Sequence, residues 1–187
     1  MTETTDNRAP HTTRGLLTAA AAGVVITIVV WLIARRTAAD PYSGGEFRLF
    51  FSTPFYLKAW LATAALVVAA SQPLTGPWLF GKLPWRRPPW LGRFHRIAGW
   101  LSVVLTLPVA YLCVFEVGFS TSPARALVHS ILGCALYGAF AAKVIVVHVK
   151  RSPYWAFALT GGLVFVLLLA VWWVSALWLF RTVGVSP

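Results

Sequence analysis

Five long apolar runs, separated by short polar stretches, make up most of the chain. They cover residues 15–34, 55–74, 93–115, 125–148 and 155–180. At 1.5 Å of rise per residue, each run is long enough as a helix to cross a hydrocarbon layer roughly 30 Å thick. The pattern predicts an all-α polytopic membrane bundle of about five transmembrane helices. The second to fifth could form an antiparallel four-helix core. Residues 1–14, with Asp6, Asn7 and Pro10, read as a disordered cytoplasmic tail ahead of a single transmembrane domain over 15–187. The first run is too long for a signal-peptide core and ends on Arg35 and Arg36, so it reads as a retained helix.

Two connections carry content. The loop over 35–54 holds Asp40, a Ser43-Gly44-Gly45 turn and an apolar patch from Phe47 to Phe51 interrupted by Arg48, and is expected to lie along the outer surface. The stretch over 77–90 mixes Pro77, Pro84, Pro88 and Pro89 with Trp78, Trp85, Trp90 and basic residues. Proline is expected to keep it non-helical, with its Trp and Arg side chains against the inner leaflet.

Composition agrees with the pattern. Of 187 residues, 58% are hydrophobic and 11% charged, under half the charged share of a soluble domain. The ten Trp, twelve Phe and five Tyr gather near the ends of the runs, where amphipathic rings favour the headgroup layer. The net charge of +11 resides in short loops and not on one soluble face, so anionic lipid headgroups, not nucleic acid, are the expected counter-charge. Its distribution gives an orientation. With the amino terminus inside, the inner segments hold Arg8, Arg14, Lys82, Arg86, Arg87, Arg93, Arg96, Lys143, Lys150 and Arg151, and the outer ones Arg35, Arg36, Arg48, Lys58, Arg125 and Arg181. The excess belongs on the cytoplasmic side, which predicts a bacterial cytoplasmic membrane protein with its amino terminus inside and carboxyl terminus outside. Cys113 and Cys134 fall at different depths inside apolar runs and read as small core residues, not a disulfide.

Chemistry is sparse. No Asp or Glu falls within the predicted spans, and Lys143 is expected to snorkel to the inner surface, which argues against an ion-coupled pump. No nucleophile has a matching base and no phosphate loop occurs, so a self-contained enzyme is not indicated. What remains is a repeat, His95-Arg-Ile-Ala-Gly99 and His129-Ser-Ile-Leu-Gly133. In each, glycine stands one turn from histidine on the same helix face. An imidazole can ligate haem iron and glycine lets a flat porphyrin approach the backbone. The face of His95 continues through Ser102, Thr106 and Cys113, and that of His129 through Tyr137 and Ala141. Rows of small residues are also how membrane helices pack closely, so both explanations stay open.

Depth separates the histidines. The third and fourth helices run oppositely, so His95 and His129 stand about 25 Å apart along the normal and cannot share an iron. His148 returns to the depth of His95 and could be its partner in ligating a haem iron, with Arg93 and Arg96 available to the propionates. Opposite His129 stands Leu112, which binds no metal, and His11 in the tail is expected to be solvated. The leading expectation is a haem b-binding or electron-transfer subunit working with a redox protein partner. The alternative is a cofactor-free accessory or scaffolding subunit.

Phe94-His95-Arg96 with Gly99, Pro108-Val109-Ala110 with Cys113, His129-Ser130 through Gly133, and Tyr137 to Phe140 with Lys143 resemble a family of uncharacterised bacterial membrane proteins. Those proteins come mostly from high-GC Gram-positive bacteria and are loosely similar to helical membrane b-type cytochromes. The likeness continues through Gly161-Gly162 and Ser175 to Trp178, and so covers roughly the carboxyl-terminal half. It implies a histidine at the position of Leu112 that would pair with His129. This chain departs from that pattern.

Overall fold

The computed structural model describes residues 9–37 and 51–185. Among them there is no strand, and five helical spans are long and apolar enough to cross a membrane: Thr12–Arg36, Pro54–Leu79, Leu91–Val117, Ala124–His148 and Tyr154–Thr182. The molecule is an all-helical bundle with the architecture of a multi-pass membrane protein. The expected surface-lying loop, with Asp40 and Phe47, falls outside the described residues.

The elements are α1 (Ala9–Arg36), α2 (Pro54–Ala69), α3 (Gln72–Leu79), α4 (Leu91–Tyr111), α5 (Ala124–His148), α6 (Tyr154–Trp172) and α7 (Trp178–Thr182). A π-helical turn, Leu112–Val117, extends α4, and a second, Trp173–Leu177, joins α6 to α7. Helix α1 starts at Ala9, inside the stretch expected to be a disordered tail. Pro10 suits a first helical turn, and between it and Gly15 nothing breaks a helix whose elongation adds one hydrogen bond per residue.

The second span is also longer than its apolar run. It bends at Ala70-Ser71 and resumes as α3, with Pro73 in the first turn, where its missing N–H costs nothing. Pro77 lies inside α3, against the expectation that proline keeps this segment non-helical. The helix ends only at Gly81, whose φ of 67° lets its N–H reach the Trp78 carbonyl while Lys82 N–H reaches that of Pro77 (3.0 and 2.9 Å). These paired bonds close the last turn around a left-handed glycine. Beyond it, Trp78 meets Trp85 and Trp90 edge-on, at 5.6 and 6.3 Å between ring centres.

Packing inverts the soluble pattern. Helix α2 buries Ala59, Ala62, Ala65 and Ala69, at spacings of three and four, while Val67 is 68% exposed. Small residues let backbones approach, and large apolar ones face outward, where lipid accepts them. Helix α1 lies against α5 where a Cβ on Gly23 would come 2.9 Å from the Gly138 carbonyl oxygen and one on Gly138 would collide with Thr27. Helix α2 packs on α4 and α6, and α5 on α6 through Leu136, Ala69 and Leu168. The backbones of α4 and α5 stand apart and meet through side chains, among them the Tyr137 hydroxyl donating to the Thr106 carbonyl (3.0 Å). That separation creates the internal space described next.

Candidate functional site

Two cavities occupy the gap between α4 and α5, one at an end of the bundle and one near its middle. The larger, about 240 Å³, lies at the His129 end and is walled by all five spans. The smaller, about 60 Å³, lies toward His95. Tyr137 lines both and forms the wall between them.

Both π turns shape the larger cavity, which is lined by Cys113, Val114 and Val117 from the first and Ser175 and Ala176 from the second. A π turn widens the helix and disturbs the ladder of carbonyls, and such turns concentrate at functional sites. In each turn a side chain takes up a carbonyl. Thr37 Oγ1 donates to Val114 (2.9 Å) and Arg125 to Val174 (2.9 Å). Arg125 also stacks on Trp178, with its guanidinium carbon 3.5 Å from the ring centre. Gly118 closes the first turn with φ 75°, and a Cβ there would come 2.8 Å from the Thr37 carbonyl oxygen. The end of α1 is thereby held to the end of α4.

His129 faces this cavity. Its Nδ1 is buried with no hydrogen bond of normal geometry, its Nε2 lies 3.9 Å from the Cys113 sulfur, a long contact even for sulfur, and the Val171 carbonyl stands near the ring. Among the described residues it holds the only fully buried side-chain N or O atom left unpaired. An orphan of this kind costs about 1–3 kcal/mol, so it calls for an explanation. One turn along, Gly133 also lines the cavity, and a Cβ there would meet nothing within 4 Å. Gly133 is therefore not a close-packing glycine; Gly138 is. Lys58 and Arg125, both cationic, line the same space, with otherwise largely apolar walls.

The residue beside His129 is Cys113, where counting helical depth selects Leu112. Leu112 is 1% exposed and packed in the core. Leu112 and Cys113 differ in depth by a single residue's rise, roughly 1.5 Å, but face different sides of the helix, which is why depth alone misassigns the neighbour. Glu116, outside every predicted span, falls within the third one because the π turn carries the helix on to Val117.

At the other end, His95 Nδ1 lies 2.8 Å from Thr75 Oγ1 on α3, and the His95 carbonyl accepts from Gln72 Nε2 (3.1 Å). Because Thr75 donates to the Ser71 carbonyl (2.8 Å), the imidazole must be the donor, which puts the proton on Nδ1 and leaves Nε2 free. His148 is exposed, and its Nδ1 bonds the Val144 carbonyl of its own helix (2.7 Å). The hydrogen bonds of the two histidines thus lead to different elements. Arg93 and Arg96 are exposed on the first two turns of α4, and Gly99 faces Gln72 beside the smaller cavity. Lys143 does not snorkel to the helix end. It lines the smaller cavity, with its ammonium 3.8 Å from where a Cβ of Gly161 would stand, in space that glycine leaves on α6. Sequence reasoning missed the Cys113 contact and the direction of Lys143.

No curated protein and no solved structure matches the chain. A family model does: over residues 16–187 the chain belongs to the family of unknown function DUF6529. The match takes in the amino-terminal half as well as the half that carried the resemblance.

Proposed function

We propose, for this member of a family without an assigned function, that the chain is a haem-binding, electron-transferring membrane subunit whose cofactor occupies the larger cavity, with His129 as its iron ligand. The observation that carries the reading is the buried, unpartnered imidazole nitrogen of His129 at a cavity of about 240 Å³. The lining residues fit such a group on three counts. An imidazole is a haem ligand, Gly133 leaves open space beside the ring, and Lys58 and Arg125 offer cations to carboxylates at the rim of an apolar pocket. When bound, the haem iron would supply reversible one-electron chemistry.

The protein's part is to hold and to shield. The apolar walls keep water from the ring, and Arg125 is fixed by Val174 and Trp178 so that its charge is in place before any anion arrives. His95 with His148, the pair chosen by helix depth, has less support: a bonded Nδ1 would leave each Nε2 able to ligate, but neither residue lines either of the two cavities and His148 is exposed. Leu112 supplies no second ligand to the larger cavity, so the reading is of a single protein ligand there, beside the Cys113 sulfur. The orientation belongs to the same proposal: the distribution of Lys and Arg would set the His95 end in the bacterial cytoplasm, the carboxyl terminus outside and a redox protein partner at either face.

The test is a difference spectrum. Protein purified in mild detergent, or reconstituted with haem, should show a dithionite-reduced b-type spectrum. A protein that stays colourless after haem is supplied would overturn the reading in favour of a cofactor-free accessory subunit.

A further inference from the structure

The smaller cavity has a polar composition that the cofactor reading does not use. Lys143, Gln72, Ser102, Thr106 and Tyr137 line it. The hydroxyls spend their protons on carbonyls: Ser102 donates to Ala98 (2.9 Å), Thr106 to Val103 (2.7 Å) and Tyr137 to Thr106 (3.0 Å). Gln72 spends an amide proton on the His95 carbonyl. The oxygen lone pairs are left over as acceptors, while the Lys143 ammonium is all donor. Water answers both needs, and a space of about 60 Å³ admits several molecules, since one needs only about 10–15 Å³. A charged side chain within a membrane span and directed inward is expensive without such solvation.

We propose that this cavity is a hydrated vestibule, open toward the His95 end, that carries protons as far as Tyr137 and supplies them to a ligand in the larger cavity. Toward the His95 end, the ring of His95 bonds Thr75 and its carbonyl bonds Gln72, which lines the cavity together with Lys143. The other titratable groups facing Lys143 are His95 on α4, within electrostatic reach, and Tyr137 on its own helix, which lines the same cavity. In the transfer, the Tyr137 hydroxyl turns its proton from the Thr106 carbonyl to a carboxylate of the ligand and takes one from vestibule water. That water is reprotonated by the Lys143 ammonium, and the amine recovers a proton from the aqueous phase. Tyr137 and Lys143 end as they began, and one proton has moved. The vestibule does not depend on the haem reading; the last transfer does.

The experiment uses single cysteines in a Cys113→Ala, Cys134→Ala background, in sealed vesicles, with a membrane-impermeant thiosulfonate that reacts with thiolate in water. Ser102→Cys and Thr106→Cys should be modified at least about tenfold faster from the His95 side than a control at the exposed position Leu107→Cys, since only the hydrated thiol ionises. Lys143→Met should slow them and Lys143→Arg should not. Gly133→Cys, in the larger cavity, should become reachable from that side only when Tyr137→Ala removes the wall. Rates equal to the Leu107→Cys control, or unmoved by Lys143→Met, would overturn the vestibule. In haem-loaded protein, proton uptake on reduction should fall in Tyr137→Phe at unchanged haem content; uptake equal to wild type would overturn the transfer. Absence of haem would sink the cofactor reading and leave the labelling rates to decide the vestibule.

Discussion

His129 has two ring nitrogens, and neither makes a hydrogen bond of normal geometry to N or O: Nδ1 has no such partner, Nε2 has a distant sulfur, and the Val171 carbonyl stands near the ring. The same helix shows how differently two glycines are used. Gly138 stands where the α1 backbone crosses α5, and a methyl group there meets Thr27 and the Gly23 carbonyl oxygen. Gly138→Ala should therefore lower stability by about 1–3 kcal/mol through overpacking, read as a lower thermal midpoint in detergent. Gly133→Ala adds its methyl to open space and should shift the same midpoint by less than about 1 kcal/mol, the size of a helix-propensity change. Equal losses for the two would mean that Gly133 packs against a neighbour and that the cavity is not open there. The spacing of His129 and Gly133 was legible in the sequence, but spacing cannot tell a glycine beside another helix from a glycine beside a space. That distinction depends on which helix crosses where, and so the close-packing Gly138 went unnoticed.

Among the elements, the two π turns decide the shape of the site. Each leaves a carbonyl to be satisfied by a side chain from elsewhere, Thr37 at Val114 and Arg125 at Val174. Arg125→Met would leave the Val174 carbonyl unpaired and remove the stack on Trp178, with an expected cost of about 1–3 kcal/mol. Arg125→Lys should recover little, because an ammonium lacks the planar fork that bonds and stacks at once. Full recovery of the thermal midpoint in Arg125→Lys would show that only the charge matters there. The spans were readable as apolar runs because length and hydropathy are properties of the run itself. The π turns were not, since Leu112 to Val117 and Trp173 to Leu177 differ from their neighbours in no obvious residue type. Depth likewise placed Leu112 opposite His129 where Cys113 stands, because two adjacent residues share a depth and differ only in the face they present. Pro77 misled in the other direction: a proline in a helix as short as α3 forfeits one bond, and the turn at Gly81 closes the helix regardless.

For the whole molecule, hydropathy predicts the helical bundle, and the distribution of charge predicts its orientation in the membrane. Reporter fusions after Lys82 and after Lys150 should report cytoplasm and one after Pro187 the outside, from the excess of Lys and Arg on the His95 side. A cytoplasmic signal after Pro187 would reverse the membrane faces and put the larger cavity on the inner side. What the sequence could not supply was the separation of α4 from α5. That gap arises from five helices choosing partners, α1 with α5 and α2 with α4 and α6, and it makes the space at His129. The account stands on what fills that space, and the most direct measurement is the haem content per chain of the wild type and of His129→Ala, His95→Ala and His148→Ala, each reconstituted and purified alike. The account predicts one haem per chain, lost in His129→Ala and kept in the other two. Haem retained in His129→Ala, or lost only when His95 or His148 is replaced, would contradict it.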